Sequence, residues 1–158
     1  MEKNKKLIPG LPTGFEDRWD NKLYLKKKLL KLIEENFIKY GFEPLETPSF
    51  EISENIGSFL ADDESNTMSD VFTFNDGEKN ITLRYDLSSP LARFVAQNNQ
   101  ELPLPYKRYA IQNVFRNEKA GNARYREFTQ ADCDIVGNVN PSQSNAELCN
   151  LIASTLIN

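Results

Sequence analysis

Arg124-Tyr125-Arg126-Glu127-Phe128-Thr129-Gln130-Ala131-Asp132-Cys133-Asp134-Ile135-Val136 is the stretch from which the fold can be read. Side chains alternate between faces along a strand. In extended form Arg124, Arg126, Phe128, Gln130, Asp132 and Asp134 share one face, while Tyr125, Thr129, Ala131, Cys133 and Ile135 make most of the other, with Glu127 the exception. One face reads as core and the other as a row of functional groups. Isolated buried charges are costly. A face with two arginines, an amide and two carboxylates around one phenylalanine therefore lines water or a polar ligand. A solvated sheet face with paired charges is the plainer alternative.

The segments before this strand repeat the arrangement. Residues 107–116 read as a second strand, joined to the first by 117–123, with Arg116 at its end and Glu118 in the connection. In Leu83-Arg84-Tyr85-Asp86-Leu87-Ser88, parity puts Arg84, Asp86 and Ser88 on one side and Leu83, Tyr85 and Leu87 on the other. The alternative there is a strand end that caps a helix through Ser88. If the three segments are neighbours, their polar faces form one pocket holding cations and anions. Guanidiniums suit phosphate oxygens and carboxylates suit an ammonium, so a ligand bearing both, or two ligands side by side, would fit.

Further out, Leu25, Leu29, Leu32, Ile33 and Phe37 recur at helical spacing, with Asp20 to cap the start and Gly41 to stop it, which predicts a helix over 21–40. Prolines 44 and 48 make 41–48 an edge or irregular strand. A short helix fits 51–60, and the acidic, aperiodic 61–70 reads as a mobile loop. Residues 71–74 and 81–84 flank Asn75-Asp76-Gly77-Glu78 as a hairpin. A helix over 90–98 has Pro90 in its first turn, and Asn140-Pro141 opens a last helix with Leu148, Leu151, Ile152 and Leu156 on one face. This order predicts one α+β unit, an antiparallel sheet with helices packed on one face.

Composition narrows the chemistry. The 158 residues are 39% hydrophobic, enough for one core, and carry 27% charged residues with a net charge of -4. No apolar run approaches the ~20 residues that span a bilayer, and the basic start Met1-Glu2-Lys3-Asn4-Lys5-Lys6 precedes too short an apolar stretch for a secretory signal. A cytoplasmic protein is expected. Cys133 and Cys149, without metal-ligand spacing, read as two reduced, packed thiols. There is no histidine, which removes His-based acid–base and nucleophilic catalysis and most zinc sites, and no protein-held metal is expected. The acidic balance argues against nonspecific coating of nucleic acid. Lys22, Lys26, Lys27, Lys28 and Lys31 read as the solvated face of the first helix.

Phe115-Arg116-Asn117-Glu118, a short loop, then Arg124-Tyr125-Arg126-Glu127-Phe128-Thr129-Gln130 resembles motif 2 of class II aminoacyl-tRNA synthetases. Leu83-Arg84-Tyr85-Asp86-Leu87-Ser88-Ser89-Pro90-Leu91-Ala92-Arg93 resembles the amino-acid-binding segment of histidyl-tRNA synthetases, and the first helix with 41–48 resembles motif 1, the family's dimer interface. The resemblance covers nearly the whole chain, with motif 1 at about 21–48 and motif 2 at about 107–137. It implies that Arg116 contacts the α-phosphate of ATP as the catalytic cation, Glu118 the adenine amino group and Arg124 the γ-phosphate side, with Phe128 stacked on adenine. It also implies that Asp86, Ser88 and Gln130 hold the α-ammonium of L-histidine and that Asp134 meets the imidazole N–H.

The implied reaction is attack of the histidine carboxylate on the α-phosphate, helped by Mg²⁺, with release of pyrophosphate and transfer to tRNA(His) by a homodimer. Ser88 stands where threonine is common, Asp134 where glutamate is common, and Asn122-Ala123 before Arg124 is less usual for the family. Asn158 precedes the family's histidine-specific loop, motif 3 and anticodon-binding domain, so little activity is expected of these residues alone. Two other readings are a synthetase-like regulatory subunit of ATP phosphoribosyltransferase, which binds without catalysing, and a dimerising interaction fragment that binds no nucleotide.

Overall fold

The computed structural model describes residues 8–60 and 70–157. The basic start and all but Asp70 of the 61–70 loop lie outside the described residues. The spine is an antiparallel pair, β5 (Tyr106–Phe115) and β6 (Glu127–Val136), in register from Tyr106 opposite Val136 to Phe115 opposite Glu127. β5 is rich in the aromatic and β-branched residues that suit a pleated surface. β6 starts three residues later than parity suggests, so Arg124, Tyr125 and Arg126 are not strand residues. The cause is local: a tight turn with Ala123 at φ 58 pairs Gly121 with Arg124, and the Arg126 N–H donates to the Gly14 carbonyl at 2.8 Å.

On the other side of β5, the two-residue β1 (Glu43–Pro44) pairs in parallel, so the sheet is not wholly antiparallel as expected. Pro44, without an N–H, sits at the sheet edge where the loss costs least. A second, antiparallel sheet has the order β2 (Phe50–Ile52), β4 (Asn80–Leu83), β3 (Thr73–Asn75). The predicted hairpin is there: Gly77 takes φ 106, and Asp76 Oδ1 accepts from the Glu78 and Lys79 N–H groups at 2.9 and 2.8 Å. Of the helix expected over 51–60, Glu51 and Ile52 belong to β2 and α2 is Ser53–Leu60. Glu51 is buried and receives both Nε and Nη2 of Arg93, at 2.7 and 2.9 Å, from α3 (Ser88–Asn98).

The helices α1 (Asp20–Lys39) and α4 (Pro141–Ile157) cover the odd-numbered face of β5 and β6. Phe37, Phe42, Tyr109 and Leu151 form the core there, with Ile33, Ile111, Cys133, Ile135 and Leu148 against it. Buried Asn36 joins the helices by donating to the Leu151 carbonyl at 3.1 Å and to Ser154 and Thr155 hydroxyls. The apolar stripes run wider than the contact: Leu25, Leu29, Ile152 and Leu156, read as parts of those stripes, are exposed, while the core between α1 and α4 gathers around Phe37 and Leu151. Asp20 does not cap α1. It is the first helical residue at φ 56, and Trp19 before it makes no side-chain cap. Gly41 does stop the helix, at φ 78. Cys133 packs half-buried, but Cys149 is exposed rather than packed, and both are free thiols. Of the lysines, Lys26 leaves the solvated face to donate to Thr129 Oγ1 at 2.6 Å.

Candidate functional site

On the even-numbered face of the β5–β6 pair, Val114 stands opposite Phe128, Gln112 opposite Gln130, Ala110 opposite Asp132 and Arg108 opposite Asp134. Parity holds within β6, and it sorts this face into an arginine–aromatic end and a carboxylate end. Leu87, Ala110 and Val114 make a small buried cluster between them, with the Phe128 side chain packed against it.

At the first end the Arg116 guanidinium lies between two rings, 4.5 Å from the centroid of Tyr85 and 5.1 Å from that of Phe128, and its Nε donates to the Tyr85 carbonyl at 3.3 Å. Cation–ring contacts hold the planar group, and among the described residues its two terminal nitrogens have no hydrogen-bond partner, which leaves the fork for an oxyanion. Glu118 accepts from the Tyr85 hydroxyl at 2.9 Å and pairs with Arg124. The Tyr85 bond, then the Arg124 contact, holds the Glu118 carboxyl below its usual range, so it stays an acceptor. Arg116, Glu118, Ala123, Arg124, Tyr125 and Phe128 line a cleft of about 350 Å³, open where Arg124 is 63% exposed. A larger hollow of about 620 Å³ at the start of α1 is walled mostly by exposed side chains, among them Glu16, Asp17 and Trp19. It gathers no comparable set of groups.

At the other end Gln130 Nε2 donates to Asp132 Oδ2 at 3.0 Å. Burial pushes the Asp86 carboxyl above its ordinary range; the Ser89 N–H opposes this, Asp132 adds to it, and Arg116 and Arg108 oppose it. Burial likewise raises Asp134, with Arg108 opposing and Asp132 and Asp86 adding. These causes place three carboxylates and two guanidiniums within electrostatic reach of one another. Arg108, wholly buried, donates through Nη2 to the Leu87 carbonyl at 2.8 Å, and the same nitrogen lies 3.1 Å from Asp134 Oδ2.

The structure thus brings Arg116, Glu118, Arg124 and Phe128 together, and beside them Asp86, Gln130 and Asp134. Ser88 is exposed as the first residue of α3, and the capping group is Asp86 Oδ1, which accepts from the Ser89 N–H at 3.1 Å. Arg84 and Arg126, which parity places in the pocket, serve the backbone instead. Arg84 is buried and donates to the carbonyls of Asn113 at 2.6 Å and Thr47 at 2.7 Å. Arg126 donates to the Glu118 carbonyl at 2.9 Å. Parity fails here because β4 ends at Leu83 and the chain crosses irregularly to the end of β5, where the Phe115 N–H meets the Arg84 carbonyl. The same irregularity turns Tyr85 into the site, a residue that alternation assigns to the apolar side. Arg108 also escaped the sequence reading. Pairing 106–115 against 127–136 would have set it opposite Asp134.

The antiparallel pair, with helices behind it and an arginine–aromatic cleft on its open face, is a fold shared with class II aminoacyl-tRNA synthetases. A profile of the histidyl-tRNA synthetase family matches residues 14–158. The chain belongs to that family. A histidine–tRNA ligase of Pelagibacter ubique is 80% identical over 157 residues, 99% of this chain and 34% of that protein. One of Brucella suis is 44% identical over 156 residues, 98% of this chain and 31% of that protein. The chain therefore spans about a third of the length of the curated relatives it matches. The crystal structure of a Nostoc histidyl-tRNA synthetase superposes with a TM-score of 0.79 at 28% identity, over 93% of this chain and 33% of that one. A Bacillus halodurans protein described as an ATP phosphoribosyltransferase regulatory subunit/histidyl-tRNA synthetase superposes with a TM-score of 0.79 at 24% identity, a likeness of fold alone.

Proposed function

We propose that these residues form part of the active site of a histidine–tRNA ligase, which activates L-histidine with ATP and transfers it to tRNA(His). One observation carries the reading: Arg116, held between the Tyr85 and Phe128 rings, borders both the 350 Å³ cleft and the carboxylate group. A cation so placed would meet the α-phosphate between the two substrates. Glu118 would accept from the adenine amino group, Phe128 would stack on the ring, and exposed Arg124 would swing from Glu118 to the γ-phosphate side. Asp86, Ser88 and Gln130 would hold the α-ammonium, and Asp134 would accept from the imidazole N–H. The histidine carboxylate oxygen then bonds to the α-phosphorus as the bond to the pyrophosphate oxygen breaks. Arg116 balances the charge that spreads over the phosphoryl oxygens.

Mg²⁺ would arrive on the phosphates of ATP. Among the described residues no three His, Cys, Asp or Glu side chains converge to hold a metal. Motif 1 would be α1 with β1, and the exposed Tyr24, Leu25 and Leu29 on α1 support its use as a homodimer face. Motif 2 would be the β5–β6 pair with its connection. No described helix is long and apolar enough to cross a membrane; a cytoplasmic ligase is part of the proposal.

The test is amino-acid-dependent ATP–pyrophosphate exchange by the intact gene product that contains these residues. Exchange driven by histidine, and lowered about 10²–10³-fold by Arg116→Ala, is the expected result. Histidine binding in calorimetry without any response to ATP would instead favour the regulatory-subunit reading.

A further inference from the structure

We propose that Arg108 is a positioning residue for histidine, setting the spacing between the corner that holds the ammonium and the carboxylate that meets the ring. The proposal rests on the histidine reading above. Its basis is that one nitrogen serves both segments: Nη2 donates to the Leu87 carbonyl at 2.8 Å and stands 3.1 Å from Asp134 Oδ2. Leu87 lies between Asp86 and Ser88, the proposed ammonium ligands, and Asp134 lies on β6. Arg108 is fixed in turn by its place in β5 opposite Asp134 and by complete burial, at 0% exposure.

Packing alone does not account for a guanidinium at this point. Arg108 Nε and Nη1, and Asp134 Oδ2, are buried without a hydrogen-bond partner among the described residues. Each buried donor left unpaired carries a desolvation cost, so what the guanidinium contributes here comes through Nη2 and its two neighbours. What an apolar residue could not do is tie the Leu87 carbonyl to Asp134 and balance the surrounding acids. Burial drives the carboxyls of Asp86 and Asp134 toward the neutral form, and Arg108 opposes that drift at both. An amino acid with an ammonium at one end and a ring N–H at the other needs two ionised acceptors at a fixed separation.

The test compares Arg108→Met and Arg108→Lys with the unchanged intact gene product in histidine-dependent ATP–pyrophosphate exchange and in thermal melting. Arg108→Met, which removes one partner of a buried pair, is expected to melt lower than the unchanged protein, to raise KM for histidine about 10–100-fold and to leave KM for ATP unchanged. Arg108→Lys keeps the charge without the fork and should recover part of the histidine KM. Unchanged histidine KM in Arg108→Met overturns the proposal, as does an equal rise in both KM values. Should Arg108→Met fail to fold, Arg108→Lys decides by the same split between the two substrates. Absence of histidine-driven exchange in the unchanged protein would sink the underlying reading and this role with it. Exchange that persists while both variants behave as wild type removes only Arg108.

Discussion

The Tyr85 hydroxyl donates to Glu118 Oε1 at 2.9 Å, joining the segment that leads into α3 to the connection between β5 and β6. Because the same ring carries the Arg116 guanidinium on its face, one side chain aligns two proposed ATP ligands. It also keeps Glu118 ionised, being the largest influence on that carboxyl.

Tyr85→Phe separates these roles, since it keeps the ring under Arg116 and deletes only the hydroxyl. The expected result in the intact gene product is a rise in KM for ATP of about fivefold, or ~1 kcal/mol, with KM for histidine little changed. Tyr85→Ala should be worse, because the guanidinium then loses one of its two rings. Steady-state pyrophosphate exchange measures both, and equal effects of the two variants would show that the hydroxyl alone matters.

Gly14 supports the same loop from a distance in sequence. It sits at φ 88, its carbonyl receives the Arg126 N–H at 2.8 Å, and an added Cβ would stand 2.7 Å from Arg126 Cγ. Arg126 in turn holds the Glu118 carbonyl. Gly14→Ala combines a left-handed backbone with a clash, and a loss of about 1–3 kcal/mol is expected in thermal or denaturant unfolding. A melting curve identical to wild type would mean that the N-terminal arm does not bind the loop in solution.

How much of this was legible in the sequence follows from where the backbone is regular. Within β5 and β6, alternation placed Phe128, Gln130 and Asp134 on one face, and the register confirms that they share it. Asn75-Asp76-Gly77 announced its turn through residues that satisfy their own backbone. Alternation misled wherever the chain left a ladder: past Leu83 it put Arg84 in the pocket and Tyr85 in the core, the reverse of what the fold does. The helical spacing of Leu25 and Leu29 showed that they share an apolar stripe on α1, but periodicity does not show how far along the helix a partner extends, and both are exposed.

That reversal at Arg84 has its own test. Three backbone carbonyls, of Asn113, Thr47 and Pro48, receive its guanidinium at 2.6, 2.7 and 3.4 Å. Arg84→Met leaves them without their donor inside the protein. A destabilisation of about 3 kcal/mol is expected, from lost charge-assisted hydrogen bonds and orphaned acceptors. Arg84→Lys, with one compact ammonium, cannot span all three and should recover only part. If Arg84→Met instead weakened ATP binding at full stability, the side chain would belong to the pocket after all.

Asp86 has two tasks, capping α3 through the Ser89 N–H and, in the proposed function, holding the ammonium. Asp86→Asn keeps an oxygen for the cap and removes the charge. Burial raises the folded-state pKa of this carboxyl. A raised carboxyl contributes stability that is complete below its unfolded pKa and is lost as pH rises through the folded one. At neutral pH the native chain has therefore forgone that contribution, while asparagine never ionises. The variant should melt higher than wild type at neutral pH, and the gain should vanish as pH falls below the ordinary carboxylate pKa of about 4. Its KM for histidine should rise about thirtyfold, ~2 kcal/mol, because the ammonium then faces a neutral amide. Melting scans across pH, paired with pyrophosphate exchange, read both effects. A variant less stable at neutral pH with an unchanged histidine KM would reduce Asp86 to a helix cap.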